Sequence, residues 1–72
     1  MIEINFEIKS SLGVLSTSNA GWTTELNLIS WNNREPKYDI RTWSPDHSKM
    51  GKGVTLTESE LKNLKEILEV IK

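Results

Sequence analysis

The sequence predicts an α+β fold in which a four-stranded antiparallel sheet is followed by one C-terminal helix, within a single domain spanning residues 1–72. Three observations carry this reading. Residues 2 to 9 alternate strictly between apolar and polar side chains, the period of a half-buried strand. Two further alternating stretches, Trp22 to Trp31 and Tyr38 to Trp43, are separated by polar turns. From Leu61 onward the apolar residues switch to a helical spacing.

In the first strand Ile2, Ile4, Phe6 and Ile8 share the apolar side, and Glu3, Asn5, Glu7 and Lys9 the polar one. Leu12 to Thr17 is a second β-like run, set off by Ser10-Ser11 and bent at Gly13, so it reads as a continuation of the same strand past a bulge. Asn19-Ala20-Gly21 is a turn signal. Along Trp22 to Trp31, Leu26 and Leu28 place the core on the even positions, with Glu25, Asn27 and Trp31 on the other face. The polar loop Asn32 to Pro36 leads to the strand Tyr38 to Trp43, where Tyr38, Ile40 and Thr42 oppose Asp39, Arg41 and Trp43. After the Ser44–Ser48 turn, Gly51-Lys52-Gly53 enters a short strand around Val54 to Leu56.

The helix is the clearest element. Thr57 is placed as N-cap with Glu60 three residues later, a capping box, so the helix starts at about Glu58. Leu61, Leu64, Leu68 and Ile71 form one stripe, and Ile67 and Val70 widen it to roughly half the cylinder. One sheet face does not cover a sector that wide, and a chain this short hides only about 60% of its unfolded surface. With no cysteine and one histidine, neither disulfides nor a Cys/His metal centre can staple it. Self-association is the remaining device, and Leu64, Ile67, Leu68, Val70 and Ile71 are the expected dimer contacts.

Composition excludes several classes. The 36% apolar and 26% charged content is that of an ordinary globular chain. No stretch is apolar enough to span a bilayer, and the Met-Ile-Glu-Ile-Asn start lacks the basic and apolar regions of a secretion signal, so a cytoplasmic protein is expected. Catalysis is poorly supported: Ser44, Asp46 and His47 crowd into four positions, too close for a triad, and Gly51-Lys52-Gly53 lacks the remainder of a phosphate-binding loop. His47 reads as an exposed turn residue. No metal, cofactor or small-molecule substrate is implied.

Aromatic and basic residues nevertheless concentrate in one region. Trp31 and Trp43 fall on polar strand faces, whereas Trp22 lies in core register and is either buried or a rim contact. The formal net charge of -1 divides into -2 over residues 1–30, +2 over residues 31–57 and -1 over residues 58–72. The middle region holds Arg34, Lys37, Arg41, Lys49 and Lys52 beside both polar-face tryptophans. Such interleaving suits a single strand of nucleic acid, with bases stacked on indoles and phosphates paired by cations. It also suits a hot-spot surface for a partner protein.

Through Tyr38-Asp39-Ile40-Arg41-Thr42-Trp43, then Met50-Gly51-Lys52-Gly53-Val54-Thr55-Leu56 and the capped helix, the sequence resembles the positive-cofactor-four-like family of single-stranded-DNA-binding proteins. The stretches Lys37 to His47 and Lys49 to Gly53 are similar to its bacterial YdbC branch. The resemblance implies a homodimer of β-β-β-β-α subunits with helices at the interface and curved sheets forming grooves. It implies that Arg41 pairs a phosphate, that Lys52 is the lysine entering the fourth strand, and that Trp31 and Trp43 end the second and third strands. The family's eukaryotic coactivators have a second basic residue where Gly51 stands and an aromatic pair where Thr42-Trp43 stands, and they carry a regulatory N-terminal extension that is not found here. The expectation is therefore a homodimeric, non-catalytic binder of single-stranded DNA, with RNA left open, contacting its ligand through Trp31, Arg34, Lys37, Arg41, Trp43, Lys49, Lys52 and, at the rim, Trp22.

Overall fold

A computed structural model describes residues 5–71. Ile2 and Ile4, expected on the apolar side of the first strand, lie outside the described residues. The elements are β1 (Phe6–Thr17), β2 (Thr23–Trp31), β3 (Lys37–Trp43), β4 (Met50–Leu56) and α1 (Glu58–Val70). The strands form one antiparallel meander in the order β1-β2-β3-β4. Both runs of the N-terminal segment belong to β1, and the register against β2 slips at three places, between Ile8 and Ser10, Ser11 and Gly13, and Val14 and Ser16. Lys9, Leu12 and Leu15 are the extra residues, and each bulge bends and twists the strand.

These bulges curl the sheet. Phe6 pairs with Trp31 at one end of β2, and Trp43 pairs with Thr23 at the other. Eight residue steps along a flat strand span about 26 Å. Yet the Phe6 ring centroid lies 5.8 Å from that of Trp31 and 5.4 Å from that of Trp43. The face carrying the odd positions of β2 is therefore the concave one, and side chains from both ends converge on it.

Burial corrects the sequence reading of the core. The fully buried positions are on the concave face: Ile29, Trp43, Asn27 and Asp39, with Glu25 nearly so. Leu26, Leu28 and Ile40 lie on the convex face beneath α1 and are only half-buried. Alternation separated the two faces, but curvature decides which one closes, and curvature arises from the bulges.

A further irregularity shapes β4. Arg41 pairs with Gly53 and Trp43 with Met50, so Thr42 faces both Gly51 and Lys52. The strands approach so closely here that a Cβ on Gly53 would meet the Arg41 Cβ and the Ile40 carbonyl oxygen, and one on Gly51 would meet the Thr42 hydroxyl. Gly53→Ala is expected to destabilise the fold by about 1–3 kcal/mol through overpacking. A lowered midpoint in urea unfolding checks this, and an unchanged midpoint contradicts it.

The helix begins as its sequence dictates. The Thr57 side chain accepts from the Glu60 backbone N–H, and the Glu60 carboxylate accepts from the Thr57 N–H at 2.8 Å. Its packing is slight. α1 touches β3 and β4 and has no buried residue; Leu61 and Leu64 are half-buried. Ile67, Leu68, Val70 and Ile71 are 59, 54, 78 and 66% exposed. Between helix and sheet opens an apolar cleft of about 510 Å³, lined by Leu15, Leu26, Ile40, Leu61, Leu64 and Leu68 among others. The radius of gyration is 13.2 Å, against about 11 Å for a compact domain of this length.

Candidate functional site

The concave face gathers a ladder of rings and, beneath it, a polar network that includes Arg41. Trp31, Phe6, Trp43 and His47 follow one another as ring contacts. Trp31 and Phe6 are tilted by 46°, Phe6 and Trp43 by 50°, and Trp43 and His47 stack with centroids 5.6 Å apart and planes at 26°. The guanidinium carbon of Arg41 lies 4.8 Å from the Trp31 ring centroid, within cation–π range.

Two carboxylates organise the floor. Asp39 is fully buried and receives both Arg41 Nε at 2.7 Å and Arg41 Nη2 at 2.9 Å, a bidentate pair, together with the Thr55 hydroxyl at 3.1 Å. The remaining Arg41 nitrogen, Nη1, donates to the Gly51 carbonyl at 3.4 Å and to Met50 Sδ. Glu25 accepts from the Thr23 hydroxyl and from Asn27 Nδ2 at 3.1 Å, and its Oε2 lies 2.8 Å from His47 Nε2. Burial works against the ionised Glu25, but the hydrogen bonds from Thr23, Asn27 and His47, with the His47 charge, together hold its pKa below the usual value near 4.5.

The turn that carries His47 is held by Asp46, whose Oδ1 accepts from the Ser48 hydroxyl at 2.7 Å, the Ser48 N–H at 2.9 Å and the Ser44 hydroxyl at 2.9 Å. These bonds lower its pKa from 3.8 to about 2. For both groups the folded-state pKa lies below the unfolded one, so their stabilisation is present above the unfolded values and is lost as pH falls. The melting temperature is expected to stay level near neutrality and to fall once pH drops below about 4.5, continuing toward about 2. Asp46→Asn should flatten the lower part of that curve. A melting temperature constant down to pH 2 would contradict this account.

The structure sorts the residues singled out in the sequence. Trp31 is half-buried at the edge of the ladder. Trp43 lies on the expected face but is 0% exposed, which corrects its placement as an accessible stacking ring. Packing of Phe6 and His47 against it closes off the indole. Trp22 is half-buried on the other face: a Cβ on Gly51 would sit 4.0 Å from its Cζ3, close to Thr42. It does not join the ladder. Arg41 does reach the ladder, but its side chain is only 16% exposed and its donors are engaged within the protein. Arg34, Lys37, Lys49 and Lys52 are all exposed. Lys37 lies near the start of α1, where its charge contributes, after the Thr57 hydrogen bonds, to lowering the Glu60 pKa.

Sequence reasoning passed over Phe6, assigned to the core with its isoleucine neighbours, and His47, read as a free turn residue. The placement of Asp39 two residues before Arg41, on the strand face shared with Trp43, is the one local signal for the buried ion pair. Among the described residues there is no group of three or more His, Asp or Glu side chains placed to hold a metal, and no helix long and apolar enough to cross a membrane.

Comparison with known proteins agrees with this architecture. An uncharacterized protein of Treponema pallidum (strain Nichols) is 56% identical over 66 residues, covering 92% of this chain and 78% of that protein. The family model of the transcriptional coactivator p15 (PC4) matches residues 18–67, from the turn before β2 through most of α1. The chain thus belongs to the transcriptional coactivator p15 (PC4) family.

Proposed function

We propose that this protein is a homodimeric, non-catalytic binder of single-stranded DNA with little sequence preference, serving transcription, replication or repair wherever single strands are exposed. The observation that carries this reading is the aromatic ladder on the concave face, with the Arg41 guanidinium against Trp31, in a chain of the coactivator family. Bases stack on rings at about 1–3 kcal/mol each, and every base has a face to stack, which accounts for weak sequence preference. Arg34, Lys37, Lys49 and Lys52 supply the phosphate contacts. Arg41 contributes by holding Trp31 and the strand beneath it, with its charge already matched by Asp39.

Two subunits join through the apolar stripe of α1 and the cleft beside it, where Leu64, Ile67, Leu68, Val70 and Ile71 cover one another. Support for this comes from the open shape of the single chain and from the exposure of that stripe. A dimer presents two concave faces, one from each subunit.

The test is a fluorescence-anisotropy titration of labelled oligo-dT, the duplex of equal length and the matching single-stranded RNA over a series of salt concentrations. The single strand should bind more tightly than the duplex. Its log affinity should fall linearly with log salt, with a slope of about -0.7 per phosphate contact. Absence of binding to oligo-dT at low salt, or equal affinity for the duplex, contradicts the reading. The RNA arm assigns the ligand range.

A further inference from the structure

The residues that first suggest stacking, Trp31 and Trp43, are not the most accessible rings of the ladder. Trp43 is 0% exposed, so no base reaches it in this conformation. The rings packed against it are open: Phe6 is 38% exposed, and the His47 side chain 44%. Both are fixed in place. Phe6 sits in register with Trp31, and the start of its strand is pinned to the β2–β3 turn by the Asn5 N–H donating to Asn32 Oδ1 at 2.9 Å and the Asn32 N–H donating to the Asn5 carbonyl at 2.7 Å.

His47 is held three ways. Its backbone takes φ 60°, an uncommon conformation for a residue with a side chain, and its N–H donates to the Ser44 carbonyl at 2.9 Å. Its Nε2 meets Glu25 Oε2, and its ring lies flat on Trp43. A turn residue with no role beyond solvation would need none of this. Leaving a phenyl ring 38% exposed on a concave face forgoes burial that this small core lacks.

We propose that Phe6 and His47, both packed against Trp43, are the rings on which bases stack, and that Trp43 acts as the positioning residue that holds both. The proposal rests on the single-strand reading above and adds to it the identity of the contact residues. Stacking on these two rings needs no movement of the sheet, whereas stacking on Trp43 would require displacing them.

The experiment compares wild type with Phe6→Leu and His47→Asn, using oligo-dT and an abasic strand of equal length, with circular dichroism to verify the fold. Asparagine tolerates the backbone conformation at position 47. Each ring-removing variant should lose about 5- to 150-fold in affinity for oligo-dT, the equivalent of one stacked base, and should lose little for the abasic strand, which offers phosphates alone. Phe6→Tyr keeps a ring and should bind oligo-dT as wild type does. If wild type binds oligo-dT and both ring-removing variants match it, the proposal is overturned and the single-strand reading stands. If a variant loses affinity for both strands equally, the residue is structural and the proposal is likewise overturned. If wild type itself fails to bind oligo-dT, the single-strand reading falls, and this assignment with it.

Discussion

Arg41→Ala is expected to unfold the protein or to lower its melting temperature by more than about 10 °C. Asp39 is fully buried and takes two of its three side-chain hydrogen bonds from this guanidinium. Removing Arg41 leaves a carboxylate sealed from water with only the Thr55 hydroxyl, and breaking a buried pair on one side costs about 3–5 kcal/mol. In a domain of this size each kcal/mol shifts the midpoint by roughly 4–8 °C. The same change removes the cation lying over Trp31. Replacing both partners with apolar residues, as in Asp39→Leu with Arg41→Met, leaves no uncompensated charge and should recover much of the lost stability. Thermal melts of the single and double variants test this. A single variant as stable as wild type would show that the pair does not support the sheet. The role inferred for Arg41 from resemblance, pairing a phosphate, predicts instead a stable variant with a shallower salt dependence.

The second large effect is expected at the helix. Leu68→Asp places a charge in the apolar stripe, 54% exposed in the single chain and covered in the proposed dimer. Burying one leucine side chain is worth about 1.5–3 kcal/mol, and the substitution enters both subunits. Sedimentation should show wild type as a dimer at micromolar concentration and the variant as a monomer. The melting temperature of wild type should rise with protein concentration, as mass action requires of a dimer that unfolds to monomers. A monomeric wild type with a concentration-independent melt would contradict the dimer. It would then leave the exposure of Ile67, Val70 and Ile71 without a structural reason.

Local signals were read well where they act locally. The Thr57 and Glu60 capping box fixes the start of α1 at Glu58, and the alternation Tyr38 to Trp43 gives β3 to within one residue. The faces of β2 and β3 also follow from alternation. What alternation cannot carry is curvature. Three bulges in β1 bend the sheet toward Glu25, Asn27 and Trp31, and this reverses which face is deeply buried. Residue type then misleads: Glu25, Asn27 and Asp39 read as solvent-facing because their partners, His47, Thr55 and Arg41, come together only when the strands do. His47 is separated from Glu25 by 22 positions, and no pattern in the Ser44–Ser48 turn marks what its ring will meet. Phe6 shares its period with Ile8, so nothing in the sequence distinguishes a ring facing the groove from one facing a core.

The concave face also carries a cost. The indole N–H groups of Trp31 and Trp43 and the Asn27 Oδ1 are buried without hydrogen-bond partners among the described residues. Each such group costs about 1–3 kcal/mol. Phenylalanine or leucine would avoid it, so the tryptophans are not explained by stability of the single chain alone.

Those same indole groups provide the most direct test of where a nucleic acid sits. The chain has three tryptophans, and each gives one side-chain N–H resonance in a proton–nitrogen correlation spectrum. Titration with oligo-dT should move the Trp31 and Trp43 resonances, which belong to the ladder, and leave that of Trp22, on the opposite face, in place. Movement of Trp22 with Trp31 and Trp43 unchanged would contradict the assignment of the concave face as the binding surface.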